Sequence, residues 1–230
     1  MREFRAVEAV IFDLDGTLVD SAPDIHTAAA KLLTERGHAS PDLSTVKGFV
    51  GNGVAALVER LLDWAGETQD ATARQAATLR FHQIYQASPA ALSRPFDSVP
   101  QTLQSLAGAG YRLGLCTNKP LAPARAVLAQ LGLADPIEAV VGGDSLPVRK
   151  PDAEPLLHVA RALGASPEAI VYVGDSEVDS ATAQAAGIAF ALFTEGYRKS
   201  PPEQIPHHAR FAHFAELQAL LERFPASPGI

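Results

Sequence analysis

Continuous apolar runs, each four to six residues long and ending near Gly, Asn or Asp, recur along the chain. Most of these runs do not alternate with polar residues, as expected of strands that are covered on both faces. Five strands are predicted on this basis, at residues 9–12, 111–116, 138–142, 169–173 and 189–193.

Segments with helical periodicity separate the predicted strands. Residues 121–131, for example, place Ala124, Val127 and Leu128 on one stripe. Comparable helices are predicted at 102–109, 151–163 and 178–186. Strands that alternate with helices form right-handed βαβ units, so we expect an α/β fold with a Rossmann-like parallel sheet of about five strands flanked by helices.

The segment between the first and second strands has a different pattern. Residues 20–95 contain no convincing strand but three helical stretches, the first with Ser21 as its N-cap and Gly37 as its stop. The second carries an apolar face from Val54 to Ala65, and the third covers about 70–87. We expect residues 20–95 to form an all-helical cap over a catalytic core made of 1–19 and 96–230.

The net charge and the cysteine content indicate which partners and which compartment are expected. The 230 residues carry a net charge of −7, and both nucleic acids and anionic membranes need a cationic surface, so neither partner is expected. Cys116 is the single cysteine and has no partner for an intrachain disulfide, which favours a reducing compartment. The first nine residues do not resemble a signal peptide, and no apolar run is long enough to span a membrane. A cytoplasmic protein is expected, either monomer or homodimer.

The first strand ends in two carboxylates, Asp13 and Asp15, followed by Gly-Thr. In an extended chain this spacing points both side chains to the same side, where they repel each other. A bound cation would offset this repulsion. Alternatively, the two acids could have separate roles, one as a nucleophile and the other as a proton donor. An acidic strand-to-turn junction is the alternative, because Asp and Gly are common turn residues.

Further polar residues follow the other strands. Open α/β sheets bind ligands at the carboxyl ends of their strands, where the residues following each strand meet. These ends supply Thr117, Asn118 and Lys119, then Lys150, then Asp175 and Asp179. Carboxylates suit Mg²⁺, whereas a hydroxyl and an ammonium suit phosphate oxygens, so the set indicates magnesium-assisted phosphoryl transfer.

Four strings in this order resemble the haloacid dehalogenase superfamily of aspartate-nucleophile phosphatases. They are Asp-Leu-Asp-Gly-Thr at 13–17, Thr-Asn-Lys at 117–119, Lys-Pro at 150–151 and Gly-Asp-x-x-x-Asp at 174–179. The resemblance implies that Asp13 attacks phosphorus and that Asp15 acts as acid and base.

The same resemblance assigns the remaining residues. Thr117 and the Asn118 backbone N–H would bind the phosphoryl group, and Lys150 would neutralise charge between nucleophile and phosphate. Mg²⁺ would be held by the groups that follow: Asp13, the backbone carbonyl of Asp15, and Asp175, with Asp179 in or near the second shell.

Other strings are similar to bacterial phosphoglycolate phosphatases within this superfamily: 49–53 (Phe-Val-Gly-Asn-Gly), 117–120 and 141–145 (Val-Gly-Gly-Asp-Ser). The implied reaction is hydrolysis of 2-phosphoglycolate, a small phosphorylated metabolite, to glycolate and phosphate. The alternatives are a phosphatase for another small phosphoester or pyrophosphate, and, less favoured, a sugar phosphomutase or a catalytically silent binding module. Lys47, Asn52 and Arg60 lie in or near the cap, and the sequence does not choose among them as a reader of the substrate carboxylate.

Overall fold

A six-stranded parallel sheet forms the centre of the computed structural model, which describes residues 7–68, 70–87 and 90–224. The strands in the described ranges are β1 (Ala9–Phe12), β2 (Val19–Asp20), β3 (Arg94–Pro95), β4 (Arg112–Cys116), β5 (Ala139–Val141), β6 (Ile170–Gly174), β7 (Ala189–Phe193) and β8 (Ala209–Phe211). The sheet order is β5-β4-β1-β6-β7-β8, and every neighbouring pair is parallel. The predicted α/β class is therefore confirmed.

Helices cover both faces of this sheet, and further helices fill the segment between β1 and β4. Their bounds are α1 (Ala22–Glu35), α2 (Leu43–Phe49), α3 (Val54–Trp64), α4 (Ala71–Gln86), α5 (Val99–Gly108), α6 (Leu121–Gln130), α7 (Glu154–Ala162), α8 (Glu177–Ala186) and α9 (Leu217–Leu221). Val10 and Phe12 of β1 pack into one core cluster, and Ala9 and Ile11 pack into a second. This burial on both faces explains why β1 is a continuous apolar run. Within the described ranges, no helix combines the length and apolarity needed to cross a membrane.

The central position of β1 places its end in the middle of the sheet edge. Phe12, its last residue, is level with Leu115 of β4 on one side and Val173 of β6 on the other. The residues that follow these three strands therefore lie side by side at one edge of the sheet, as expected for the carboxyl ends of parallel strands.

Three strands of the described ranges were not predicted from the sequence. Ala209–Phe211 adds a sixth strand at the sheet edge, and only Phe211 of its three residues is buried, so the segment has little apolar pattern. Val19–Asp20 pairs with Arg94–Pro95 as a two-residue antiparallel ribbon, so the statement that 20–95 lacks strands is wrong at both ends. The ribbon lies where the chain passes from β1 to α1 and where it returns from α4 to α5.

The predicted cap segment builds its own apolar cluster. Leu32, Val46, Leu61 and Phe81, one from each of α1 to α4, are among its fully or nearly fully buried members. Helix α2 was not predicted, because it has seven residues and buries only Val46. The division into a 20–95 cap and a core of 1–19 and 96–230 agrees with this packing and stays a prediction.

Candidate active site

Side chains from three strand ends meet at the sheet edge. Asp13 follows β1, Thr117 follows β4 and Asp175 follows β6, and each of these residues is at most 8% exposed. Lys150, far along the chain from all three, is buried among them at 3% exposure. The structure thus brings together the residues that the sequence analysis placed at one edge.

Lys150 lies between two carboxylates. Its Nζ is 3.0 Å from Asp13 Oδ1 and 2.7 Å from Asp179 Oδ1, and it also donates to the Tyr172 hydroxyl at 2.8 Å. Burial acts to lower the pKa of Lys150, but Asp13 and Asp179 outweigh it and raise the pKa above its ordinary value. The lysine is therefore a fixed positive charge beside Asp13.

Asp179 has its acceptor capacity largely filled by protein donors. Oδ1 accepts from Lys150 and the Tyr172 hydroxyl, and Oδ2 accepts from the hydroxyl and backbone N–H of Ser176. Burial opposes ionisation, yet Lys150 and these donors hold the pKa of Asp179 below its usual range. This carboxylate is better suited to orienting its neighbours than to binding an ion directly.

Asp175 is held in place by two donors from different elements. The Thr17 hydroxyl donates to Oδ1 at 2.9 Å, and the Tyr197 backbone N–H donates to Oδ2 at 2.5 Å. Gly16 and Gly196 approach so closely that a Cβ on either would lie 2.6 Å or less from Asp175 side-chain atoms. The carboxylate therefore has one fixed position, with lone pairs left for a ligand.

The donor set fits a hard divalent cation. Oxygens of Asp13, Asp175 and Asp179 lie within 4.8 Å of one another, and all three residues are buried. When these three carboxylates are ionised, the Lys150 ammonium balances one of their negative charges and leaves two unbalanced. Burial raises the pKa of Asp13 to about 6, and burial together with the neighbouring acids raises that of Asp175 well above its usual range. A bound cation would relieve this repulsion, so the cluster forms a candidate metal site.

Asp15 is held by two side-chain donors, Ser21 from the predicted cap segment and Lys119 from the end of β4. The hydroxyl of Ser21 donates to Oδ1 at 2.6 Å, and Lys119 Nζ donates to both carboxylate oxygens at 3.0 and 3.2 Å. The predicted N-cap role of Ser21 is wrong in one respect: the residue precedes α1, but its side chain binds Asp15 and not the helix N–H groups.

Asn118 links the site to the cap. Its Nδ2 donates to the carbonyl of Gly51 at 2.9 Å, in the loop before α3, and to the carbonyl of Lys150 at 3.1 Å. Thr117 is 4% exposed and lies beside it at the end of β4. The Gly51–Gly53 loop thus approaches the site.

A cavity lies between the sheet edge and the cap. Asp13, Asp15, Thr117 and Asn118 form its polar floor. Its walls are mostly apolar and come largely from the cap: Ile25, Val50, Val54, Leu57 and Phe81. The cavity opens directly onto the carboxylate pair that ends β1, so a small molecule held here would contact both acids.

Tyr85, Lys119 and Tyr197 had no individual role assigned from the sequence, and Ser21 was expected only as a helix N-cap. Lys119 was visible as part of Thr-Asn-Lys at a strand end, but nothing in that string shows that it reaches Asp15. Cys116 is fully buried, and burial raises the pKa of its thiol to about 12, so it packs as a small uncharged side chain.

Comparisons with known proteins identify the family of this chain. A phosphoglycolate phosphatase of Cereibacter sphaeroides is 50% identical over 217 residues, covering 94% of this chain and 99% of the relative. One from Yersinia pseudotuberculosis is 38% identical and covers 94% of each chain. The crystal structure of a predicted phosphoglycolate phosphatase from Haemophilus somnus 129pt superimposes with a TM-score of 0.88 at 30% identity, covering 93% of this chain and 97% of the other. The family model for haloacid dehalogenase-like hydrolases matches residues 7–187, and the chain belongs to this family.

Proposed function

We propose that this chain is a Mg²⁺-dependent phosphatase that hydrolyses 2-phosphoglycolate to glycolate and phosphate. The observation that carries the reaction class is the buried cluster of Asp13, Lys150 and Asp175 beside Asp15 at one sheet edge. The substrate rests on the relatives, which are named phosphoglycolate phosphatases at up to 50% identity over nearly the whole chain.

In the proposed first step, an Asp13 oxygen attacks phosphorus, and the bond from phosphorus to the glycolate oxygen breaks. Asp15 gives its proton to the departing oxygen, and Asp13 becomes an aspartyl-phosphate. In the second step, Asp15 takes a proton from water as the water oxygen attacks phosphorus. The bond from phosphorus to Asp13 then breaks, which releases phosphate and regenerates the carboxylate.

The other residues would hold the phosphoryl group during both steps. The Thr117 hydroxyl and the Asn118 backbone N–H would bind its oxygens, and Lys150 would neutralise charge between the phosphoryl group and Asp13. Mg²⁺ held by Asp13, the Asp15 carbonyl and Asp175, with Asp179 behind them, would offset phosphoryl charge and orient it for in-line attack. A cytoplasmic location and a small phosphorylated metabolite as partner belong to the same proposal.

A substrate panel tests the proposal. With Mg²⁺ present, kcat/KM should be highest for 2-phosphoglycolate among 2-phosphoglycolate, pyrophosphate, hexose phosphates and nucleoside monophosphates. A different leading substrate would contradict the assigned substrate and would favour the alternative of another phosphoester or pyrophosphate, while the reaction class would stand.

Two variants test the reaction class. Asp13→Asn should remove turnover of every phosphoester, and Asp15→Asn should lower kcat by roughly 100-fold or more, the usual contribution of a general acid–base group. Asp63→Asn, an exposed acid on α3, serves as the matched control and should retain wild-type activity. Full activity of Asp13→Asn would exclude the covalent mechanism.

A further inference from the structure

The cavity has one strongly basic residue in its lining. Of the lysines and arginines in the described ranges, only Lys119 lines it, and it comes from the core, not the cap. Arg60 is occupied elsewhere, since it donates to the Phe49 carbonyl and to Asn52 Oδ1 at 2.8 Å each. Lys47 is 39% exposed and lies 3.9 Å from Asp20. The cap candidates taken from the sequence therefore do not line the cavity, and Lys119 does.

Lys119 is placed where a leaving group would lie. Its side chain is 5% exposed, and its Nζ sits between the two Asp15 oxygens and the ring of Tyr85, 4.5 Å from the ring centroid. Burial acts to lower the pKa of Lys119, but the Asp15 carboxylate outweighs it and raises the pKa above its ordinary value. The ammonium stays charged in the cavity, and its three N–H groups exceed what one carboxylate needs.

Tyr85 supplies a second, unused donor at the same place. This α4 residue is 6% exposed and lines the cavity, and its hydroxyl has no hydrogen-bond partner in the part of the chain that the structure describes. Burial raises the pKa of the phenol, which keeps its proton in place for donation. A buried hydroxyl without a partner is unfavourable, and a ligand oxygen would satisfy it.

We propose that Lys119 and Tyr85 together bind the carboxylate of the substrate and set the preference for a short, acidic leaving group. This inference rests on the proposed function, in which Asp15 faces the leaving oxygen. In 2-phosphoglycolate the carboxylate carbon is two bonds beyond that oxygen. A cation in contact with Asp15 is therefore within reach of the carboxylate once the phosphoryl group is on Asp13.

The remaining walls strengthen this selectivity. Ile25, Leu57 and Phe81 make much of the remaining wall apolar and offer no hydrogen bonds to a hydroxylated leaving group, while His82 adds a single imidazole. A sugar phosphate would have to leave most of its hydroxyl groups without partners against this wall, which is unfavourable. The site accordingly favours one anionic group at short range over a chain of hydroxyl groups.

The test compares a matched pair of phosphoesters. Ethyl phosphate has the length of 2-phosphoglycolate but carries a methyl group in place of the carboxylate. The quantity measured is the ratio of kcat/KM for 2-phosphoglycolate to that for ethyl phosphate, in wild type, Lys119→Met, Lys119→Arg, Tyr85→Phe and the control Lys47→Met. Calorimetric binding of 3-phosphonopropionate against propylphosphonate, both inert, gives the same comparison without turnover.

Lys119→Met should lower this ratio by about 100-fold, because a charge-assisted contact to the carboxylate is lost. Tyr85→Phe should lower it by roughly 5- to 10-fold, as for a neutral hydrogen bond. Lys119→Arg should keep most of the preference, and Lys47→Met should keep all of it. Because Tyr85→Phe removes one oxygen only, it keeps the test valid if Lys119→Met does not fold.

Three outcomes would overturn the inference. Equal losses on both phosphoesters in Lys119→Met would mean that the lysine acts only through Asp15. An unchanged ratio in Lys119→Met and Tyr85→Phe, with wild type still preferring 2-phosphoglycolate, would place carboxylate recognition elsewhere and leave the proposed function standing. A wild-type enzyme with no preference for 2-phosphoglycolate would overturn the proposed substrate and this inference together.

Discussion

Lys150 and Asp179 form an ion pair inside the protein, with Nζ 2.7 Å from Oδ1 and the two residues 3% and 0% exposed. The pair also fixes the ammonium beside Asp13, 3.0 Å away. Isolated buried ion pairs often contribute little stability, because desolvation offsets their attraction. Here the lysine is instead the protein's own counter-charge for a cluster of acids, which ties the folding of the site to its chemistry.

Removing this lysine should therefore destabilise the metal-free protein. Lys150→Met leaves three buried acids without a cation, and the expected loss is about 3–5 kcal/mol of unfolding free energy. Mg²⁺ should restore part of that loss, because it supplies positive charge at the same cluster. Urea unfolding with and without Mg²⁺ measures both effects, with Lys31→Met on the exposed face of α1 as control. Unchanged stability of Lys150→Met without Mg²⁺ would contradict the role as counter-charge.

Asp179 should affect metal affinity more than the chemical step. In Asp179→Asn the amide oxygen can still accept one or two of the Ser176 and Tyr172 hydrogen bonds, but the charge that positions Lys150 is lost. The Mg²⁺ concentration for half-maximal activity should rise about 10- to 100-fold, as for other residues that orient metal ligands. At saturating Mg²⁺, kcat should fall by a smaller factor. A large fall in kcat with unchanged Mg²⁺ dependence would instead indicate direct participation in the reaction.

The pH dependence of stability should report the ionisation of Asp13. Its pKa is raised from 3.8 to about 6 by burial, so between these values the folded, metal-free protein binds a proton that the unfolded chain does not. The contribution of Asp13 to stability is therefore present below about pH 4 and is lost as the pH rises to about 6. Asp13→Asn cannot titrate, so without metal it should gain stability relative to wild type across this window. A difference that does not change with pH would argue against the raised pKa.

Mg²⁺ should act in the opposite direction. Its binding needs an ionised Asp13, so below about pH 6 the apparent affinity should fall by up to about tenfold per pH unit. The stabilisation by a fixed Mg²⁺ concentration, measured by thermal unfolding at several pH values, should shrink accordingly in wild type. Asp63→Asn should follow the wild-type curve.

The strand ends explain how much of the site could be predicted from the sequence. Asp13, Thr117 and Asp175 each follow a strand whose apolar run is visible, and parallel pairing brings such ends together without any knowledge of the loops. The same reasoning placed Lys150 and Asp179 nearby, because they lie in or just after the segments that leave β5 and β6. These positions depend on the topology, which the alternation of strands and helices determines.

Tyr197 and Lys119 show what the sequence could not supply. Tyr197 lies in the loop after β7, yet its backbone N–H holds Asp175 and its hydroxyl binds Asp20, 177 positions earlier. Lys119 reaches Asp15 across 104 positions. Such contacts depend on how loops pack in three dimensions, and no local periodicity encodes them. The strand Ala209–Phe211 was missed for a related reason, since its neighbour β7 defines it more than its own residues do.

Gly196 should be intolerant of any side chain. A Cβ there would lie 2.3 Å from both Asp175 Cβ and the Gly16 carbonyl oxygen, and a shift of Asp175 would displace a carboxylate of the candidate metal site. Gly196→Ala should lower both thermal stability and Mg²⁺ affinity. Gly48→Ala is the control: its Cβ meets nothing within 4 Å in α2, so the change should stabilise the protein slightly through helix propensity. Wild-type Mg²⁺ affinity in Gly196→Ala would show that Asp175 is not held as tightly as these contacts indicate.

The Tyr197 hydroxyl should connect the metal site to the cap. It donates to Asp20 at 2.5 Å and accepts from the Ala22 N–H at 3.0 Å, where the chain leaves the core for α1, while its own backbone N–H holds Asp175. Tyr197→Phe removes both side-chain bonds and leaves the Asp175 contact intact. We expect a loss of about 1–2 kcal/mol in unfolding free energy. KM should rise while the Mg²⁺ dependence stays unchanged, because the start of α1 is loosened whereas Asp175 keeps its hydrogen bond from the Tyr197 backbone.

Steady-state kinetics at several Mg²⁺ concentrations measure the KM and the Mg²⁺ dependence, and urea unfolding measures the stability. Tyr111→Phe is the matched control, because this tyrosine lies away from the connection between β1 and α1. A shift in Mg²⁺ dependence with unchanged KM would mean that the hydroxyl supports the metal site and not the cap.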